Sequence, residues 1–190
     1  MKITIVGAGI VGCAVAYELV SRGAHVHVVD TRGIGQGATK ASAGILAPYI
    51  EGHLSQLLRL SVSSLAMYDA FVERLRTETP DVIEYERCGT LQVALDSDEA
   101  VRLSTLARQL DAAGIEYVKV TGTEIRALER GLSEHAVAAL LIRPHGYVGV
   151  QSLVSALTHA SATSISSATS SRPSLGRPRQ RLRHGASRSE

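Results

Sequence analysis

The chain has 190 residues, 45% of them hydrophobic, with 20 Lys+Arg, 18 Asp+Glu and a formal net charge of +2. That size suits one globular domain or one and a half, and no run of about eighteen apolar residues exists to form a transmembrane helix. With no Trp and one Phe, Phe71, stacking platforms for nucleic acid are poor, and no nucleic-acid partner is expected.

Residues 2–30 read KITIVGAGIVGCAVAYELVSRGAHVHVVD. Ile3 to Val6 is predicted as a β-branched strand and Ile10 to Arg22 as a helix with small residues Cys13, Ala14 and Ala16 near its start. Gly23 is placed just past the end of that helix, and Val26 to Val29 is a second strand. Gly7 suits a tight turn out of the first strand. Gly9 lets backbone approach a pyrophosphate, and Gly12 lets the helix pack closely while its free N–H groups face negative charge. Asp30 follows the glycines at about the spacing of a ribose-binding acid. An acid there disfavours a 2′-phosphate, so NADP is not expected.

Residues 31–49 read TRGIGQGATKASAGILAPY. A run this rich in Gly, Ala, Ser and Thr lets backbone come close to a flat ligand, and its amides and hydroxyls suit phosphate and ribose. A nicotinamide-type domain usually continues here with an ordinary α/β unit, so this segment favours a flavin. Thr39 and Ser42 also suit helix or turn caps, and Ile10, Val11 and Ile45 suit plain core packing.

Further along, Leu54 to Leu75 is predicted as one helix, with Leu54, Leu57, Leu58, Val62, Leu65, Tyr68, Val72 and Leu75 on one stripe. Pro80 closes that region. Thr90 to Leu95 is a strand with Leu91, Val93 and Leu95 pointing one way. Ser97 starts a helix that runs to about Ala113, before Gly114. Tyr117 to Val120 is a strand, Thr123 opens a short helix, and Ala138 to Ile142 is another strand. Val150 begins a helix with Leu153, Val154 and Leu157 on one face. Cys13 and Cys88 lack metal-ligand spacing; Cys13 reads as a packing residue and Cys88 as a strand-edge residue. No metal site or disulfide is expected. His53, His135 and His145 read as isolated surface or loop residues rather than bases.

Residues 161–190 are Ser, Thr, Arg, Pro and Gly with almost no apolar periodicity, and disorder is expected there. Setting aside Arg172, Arg177, Arg179, Arg181, Arg183, Arg188 and Glu190 leaves 14 basic residues against 17 acidic ones, a net charge of −3. The basic balance of the chain therefore belongs to the tail.

VGAGIVGCAVAYELVSRGAHVHVVD followed by GATKASAGILAP resembles the FAD-dependent D-amino-acid oxidase superfamily, and within it the glycine oxidases of the thiamine-biosynthesis type. CGTLQVAL is similar to a substrate-domain strand of that family, and RPHGYVGVQSLVSAL to its return crossing. The resemblance covers Met1 to about His159. It implies an α/β fold: a Rossmann-like FAD-binding domain, here incomplete, with part of an α+β substrate domain. The expected division is 1–85 for the FAD-binding region, 86–145 for the partial substrate domain, 146–160 for the return helix and 161–190 for the tail. Gly7, Gly9, Ile10, Val11 and Gly12 would line the pyrophosphate turn. Asp30 and Thr31 would hold the adenosine ribose, Ala38 and Thr39 the phosphate and ribitol region, and Ala43, Gly44 and Ile45 the isoalloxazine ring.

The implied activity is FAD-dependent oxidation of the C–N bond of a small amino acid, with molecular oxygen or another electron acceptor, in the cytoplasm. The alternatives are another amino-acid or sarcosine dehydrogenase of the superfamily, or a non-catalytic dinucleotide-binding fragment. The arginine and tyrosine that bind substrate in the family lie in its second half, and neither Arg143, Tyr147 nor the tail arginines match them. No catalytic residue is assigned, and the oligomeric state is left open. The abrupt switch near His159 is the pattern of a reading-frame slip. The chain is expected to be an N-terminal fragment with weak or absent FAD retention and no oxidase turnover.

Overall fold

The computed structural model describes residues 1–50 and 55–161. Leu54, His53 and the tail from residue 162 onward lie outside the described residues. β1 (Lys2–Val6), α1 (Ile10–Ser21) and β2 (His25–Val29) form a parallel βαβ unit, in register from Lys2 opposite His25 to Val6 opposite Val29. Alternation along the strands sends Val26 and Val28 against Ala8 and Ala16, while Lys2, Thr4, His25 and His27 face solvent. The helix stops where the sequence predicts. Gly23 N–H donates to Val20 C=O at 2.8 Å and Ala24 N–H to Leu19 C=O at 3.0 Å, the paired bonds of a Schellman ending. Among the described residues β2 is the one sheet neighbour of β1, so the other edge of β1 keeps free backbone groups.

The chain continues through α2 (Ala38–Ala41), β3 (Ile45–Leu46), α3 (Ser55–Glu78), β4 (Tyr85–Glu86), β5 (Thr90–Ala94), α4 (Ser97–Ala112), β6 (Tyr117–Thr121), α5 (Thr123–Leu128), β7 (Ala138–Ile142), β8 (Gly146–Val148) and α6 (Val150–Ala160). β3, β8 and β4 make a small antiparallel sheet in that order. β5, β7 and β6 make a second one, with β7 central. The largest core lies where α1, α3 and α6 meet: Cys13 and Tyr17, Val72 and Leu75, and Leu153, Val154 and Leu157 pack together with Ile83 and Val148. No helix among the described residues is long and apolar enough to cross a membrane.

Three expectations change. Leu57, placed on the buried stripe of α3, is 52% exposed, whereas Leu65, Val72 and Leu75 are buried. Leu95 is 50% exposed because β5 ends at Ala94 and the chain turns into α4. α4 does start at Ser97, and Asp96 caps it: Glu99 N–H donates to Asp96 Oδ1 at 2.8 Å, and Leu95 N–H to Glu99 Oε2 at 2.7 Å. β5 is covered on both faces, with Ala94 against Leu103, Ala107 and Leu110 of α4, and Leu91 and Val93 against the Val120–Ile125–Ala139 cluster. The third change is His145. It does sit in a loop, but it is 0% exposed.

Asp81 fastens α6 to the link after α3. Its Oδ2 accepts from Thr79 Oγ1 at 2.6 Å and lies 2.6 Å from His159 Nδ1, and its Oδ1 accepts from Ser155 Oγ at 2.8 Å. The Thr79 hydroxyl, then His159 and Ser155, hold the carboxyl down to about 2. A carboxyl depressed on folding contributes fully above its unfolded value of about 4 and loses that contribution as pH falls through its folded value. An Asp81→Asn variant should therefore melt below the wild type at neutral pH. That gap should close as pH falls from about 4 to about 2. A gap of constant size down to the acid limit would show that the charge of Asp81 contributes nothing.

Candidate functional site

The chain leaves β1 through Gly7, whose N–H donates to Val29 C=O at 2.8 Å and so keeps the turn over the end of β2. A Cβ on Gly12 would collide with the Gly7 carbonyl oxygen. Only glycine lets α1 lie this close to the turn. The first bond within the helix runs from Cys13 N–H to Gly9 C=O at 2.9 Å. The amides of Val11 and Gly12 precede it and project from the positive end of α1.

Two expected site residues reach into this corner. Thr39, 8% exposed, accepts at Oγ1 from Ile10 N–H at 3.1 Å, and a Cβ on Gly9 would stand 3.0 Å from the same oxygen. The capping role open to Thr39 in the sequence is thus realised on α1, across 29 residues. Asp30 accepts from Ala8 N–H at Oδ2 and from Arg32 N–H at Oδ1, both at 2.8 Å. Those amides hold its carboxyl below the usual range, with Ala8 the larger cause. The group is an acceptor-only anion with lone pairs left for hydroxyl donors.

Ala43, Gly44 and Ile45 lie where the small-residue segment meets the return strand. Gly44 has φ 72°, and a Cβ there would run into the Val148 carbonyl. Its N–H donates to Ser42 Oγ at 3.1 Å, and its C=O accepts from Val148 N–H at 2.9 Å. Ile45 stays 65% exposed at the mouth of a cleft of about 670 Å³. Ile45 to Pro48 and Ile50 form one wall, and Leu60, Leu65 and Tyr68 of α3 the other. Val11 is likewise 74% exposed, so neither Val11 nor Ile45 is a core residue here. Thr31 and Ala38 are exposed at the rim, Thr31 just past Asp30 and Ala38 at the start of α2.

The structure also shows a polar cluster beside the cleft. The His145 ring has Nδ1 2.6 Å from Thr90 Oγ1, and its Nε2 accepts from Tyr49 N–H at 3.3 Å. The Tyr49 ring stacks on it, with centroids 5.2 Å apart. Burial, and secondarily the Arg87 guanidinium, push the imidazole down to about 4. Arg87 donates to Pro144 C=O and Leu65 C=O, each at 2.7 Å, and grips Asp69 at 3.2 and 3.0 Å. Tyr85 OH donates to Asp69 at 2.5 Å. No sequence spacing announces this cluster, because its members come from four separate stretches of chain.

A glycine turn pressed against a helix N-terminus, with a charged acid at the end of the next strand, defines a dinucleotide-binding βαβ unit. The family described as FAD dependent oxidoreductase matches residues 2–164. The chain belongs to that family, whose cofactor is FAD. Glycine oxidase from Geobacillus kaustophilus (strain HTA426) is 31% identical over 163 residues, covering 85% of this chain and 43% of the relative. The crystal structure of glycine oxidase from Geobacillus kaustophilus superposes with a TM-score of 0.80 at 29% identity, over 87% of this chain and 45% of the other. Iminodiacetate oxidase from Chelativorans sp. BNC1 superposes at 0.76 with 26% identity, over 88% and 46%. The chain spans less than half the length of these relatives.

Proposed function

We propose that this chain forms the FAD-holding part of an oxidoreductase that oxidises the C–N bond of a small amino acid, in the manner of glycine oxidase. Gly7, Gly9, Ile10, Val11 and Gly12 would hold the pyrophosphate, and Asp30 and Thr31 the adenosine ribose. Ala38 and Thr39 would meet the phosphate and ribitol region, and Ala43, Gly44 and Ile45 the ring. The observation that carries this reading is the contact between Gly12 and the Gly7 carbonyl. It presses the start of α1 against the turn, which presents the Val11 and Gly12 amides at the positive end of the helix to negative charge.

A bound flavin would supply the two-electron acceptor needed to oxidise the substrate C–N bond. The residues of this chain position it. The α1 amides meet negative charge, Asp30 meets hydroxyls, and the apolar cleft at Ile45 suits a flat ring. Residues 1–85 with the 146–160 helix would make the nucleotide part and 86–145 the substrate-side part. The substrate carboxylate needs a cationic partner. Arg87 is engaged by Asp69 and two carbonyls, and Arg143 pairs with Glu116 at 3.4 Å. Neither arginine is assigned that role, and turnover by these residues alone is not expected. The likeness to iminodiacetate oxidase supports a second reading within the same chemistry, a secondary amine as substrate.

Titrating the purified chain with FAD while following flavin fluorescence tests the proposal. Saturable binding is expected, competed by ADP and weak enough to be lost on gel filtration because the ring side at Ile45 is 65% exposed. A folded chain that binds neither FAD nor ADP would overturn it. Glycine-dependent peroxide release would show that the chain does contain a substrate-carboxylate partner.

A further inference from the structure

We infer that His145 is a positioning residue for the ring-side cleft, holding through the Tyr49 backbone the wall that Ile45 to Pro48 and Ile50 form, against the two crossings that join the small sheet to the β5–β7–β6 sheet. This rests on the placement of the flavin ring beside Ile45.

Three segments meet on one imidazole. Tyr49 N–H reaches Nε2, so that nitrogen carries a lone pair and the proton sits on Nδ1, directed at Thr90 Oγ1. His145 C=O also accepts from Gly89 N–H at 2.9 Å. The wall segment, the outbound crossing into β5 and the return crossing into β8 are thereby locked to one residue. The ring is fully buried, and burial keeps it neutral, so both nitrogens hold fixed roles. The opposite wall is tied to the same turn: Arg87 bonds Leu65 C=O and Asp69 on α3 and also Pro144 C=O, next to His145. Both walls therefore take their spacing from the turn at residues 143–145. An aliphatic side chain at 145 would leave the Tyr49 amide without its acceptor, a loss of the size of one buried hydrogen bond. Glutamine can accept and donate in its place.

Amide hydrogen exchange on the full chain, with FAD and ADP titrations, tests this on wild type, His145→Leu and His145→Gln. In His145→Leu the Tyr49 amide should exchange about tenfold faster, the factor one ordinary hydrogen bond supplies, while α1, β1 and β2 amides keep their rates. FAD affinity should fall by a similar factor with ADP affinity unchanged, and His145→Gln should restore both. Should His145→Leu not fold, Thr90→Val keeps the ring and removes its Nδ1 partner, and the same selective rise at Tyr49 is expected. An unchanged Tyr49 rate, a rise spread over the whole chain, or FAD and ADP affinities moving together would each overturn the assignment. A wild type that binds ADP but gains nothing from the flavin ring would instead remove the ring's placement, and the exchange rates then decide separately whether His145 holds the wall.

Discussion

A Gly12→Val variant is expected to lose FAD and ADP affinity by about a hundredfold or more, which corresponds to the upper part of the 1–3 kcal/mol range of overpacking. The added Cβ meets a backbone carbonyl, that of Gly7, not the movable end of a side chain. Relief requires α1 to lift away from the turn. Lifting carries the Val11 and Gly12 amides off their line and pulls Ile10 from Thr39. The Gly7 carbonyl cannot retreat freely, because the Gly7 N–H is bonded to Val29. Calorimetric titration with ADP isolates the effect on the corner from any effect at the ring. Undiminished ADP binding by the variant would mean the corner does not receive the pyrophosphate.

Leu157→Ala should destabilise the fold by about 2–5 kcal/mol, the cost of removing a buried leucine and leaving part of the cavity unfilled. For a chain of this size that is a fall in melting temperature of about 5–15 °C. Leu157 is 0% exposed in the core where α6 meets α1 and α3, as are Val72 and Leu75. All three helices are held by the rest of the fold, so the gap cannot collapse easily. Leu60, 68% exposed on α3, is the control, and Leu60→Ala should shift the denaturation midpoint little. Equal effects from the two substitutions would show that α6 does not seat against α1 and α3.

The sequence was most legible where local pattern and ligand chemistry coincide. β1, α1 and β2 follow from β-branched runs, small helix residues and three glycines within 30 residues. The distance of Asp30 from those glycines is legible in the sequence, as is α6 from Leu153, Val154 and Leu157 on one face. The two-residue strands β3 and β4 and the three-residue β8 were not legible. Such lengths carry no period-2 signal, and their pairing joins Ile45 to Tyr147, about a hundred positions apart. The same non-locality hid the tie from Thr39 to Ile10 and the whole environment of His145. Burial of that histidine is decided by Tyr49 and Thr90, and nothing in RPHGY alone specifies either neighbour. Leu95 and Leu57 were misplaced for a simpler reason. Periodicity continues a stripe past the point where the chain has run out of partners.

The adjoining crossings have a consequence for how such a molecule can change. Gly89 and His145 are hydrogen-bonded neighbours, so everything between them departs from and rejoins the rest of the fold at one point. A detour with touching ends can be lengthened, trimmed or swapped with little strain on what it is rooted in. If the proposed flavin placement holds, one pedestal could carry different lobes over the same ring, and novelty in what is oxidised need not disturb how the flavin is kept.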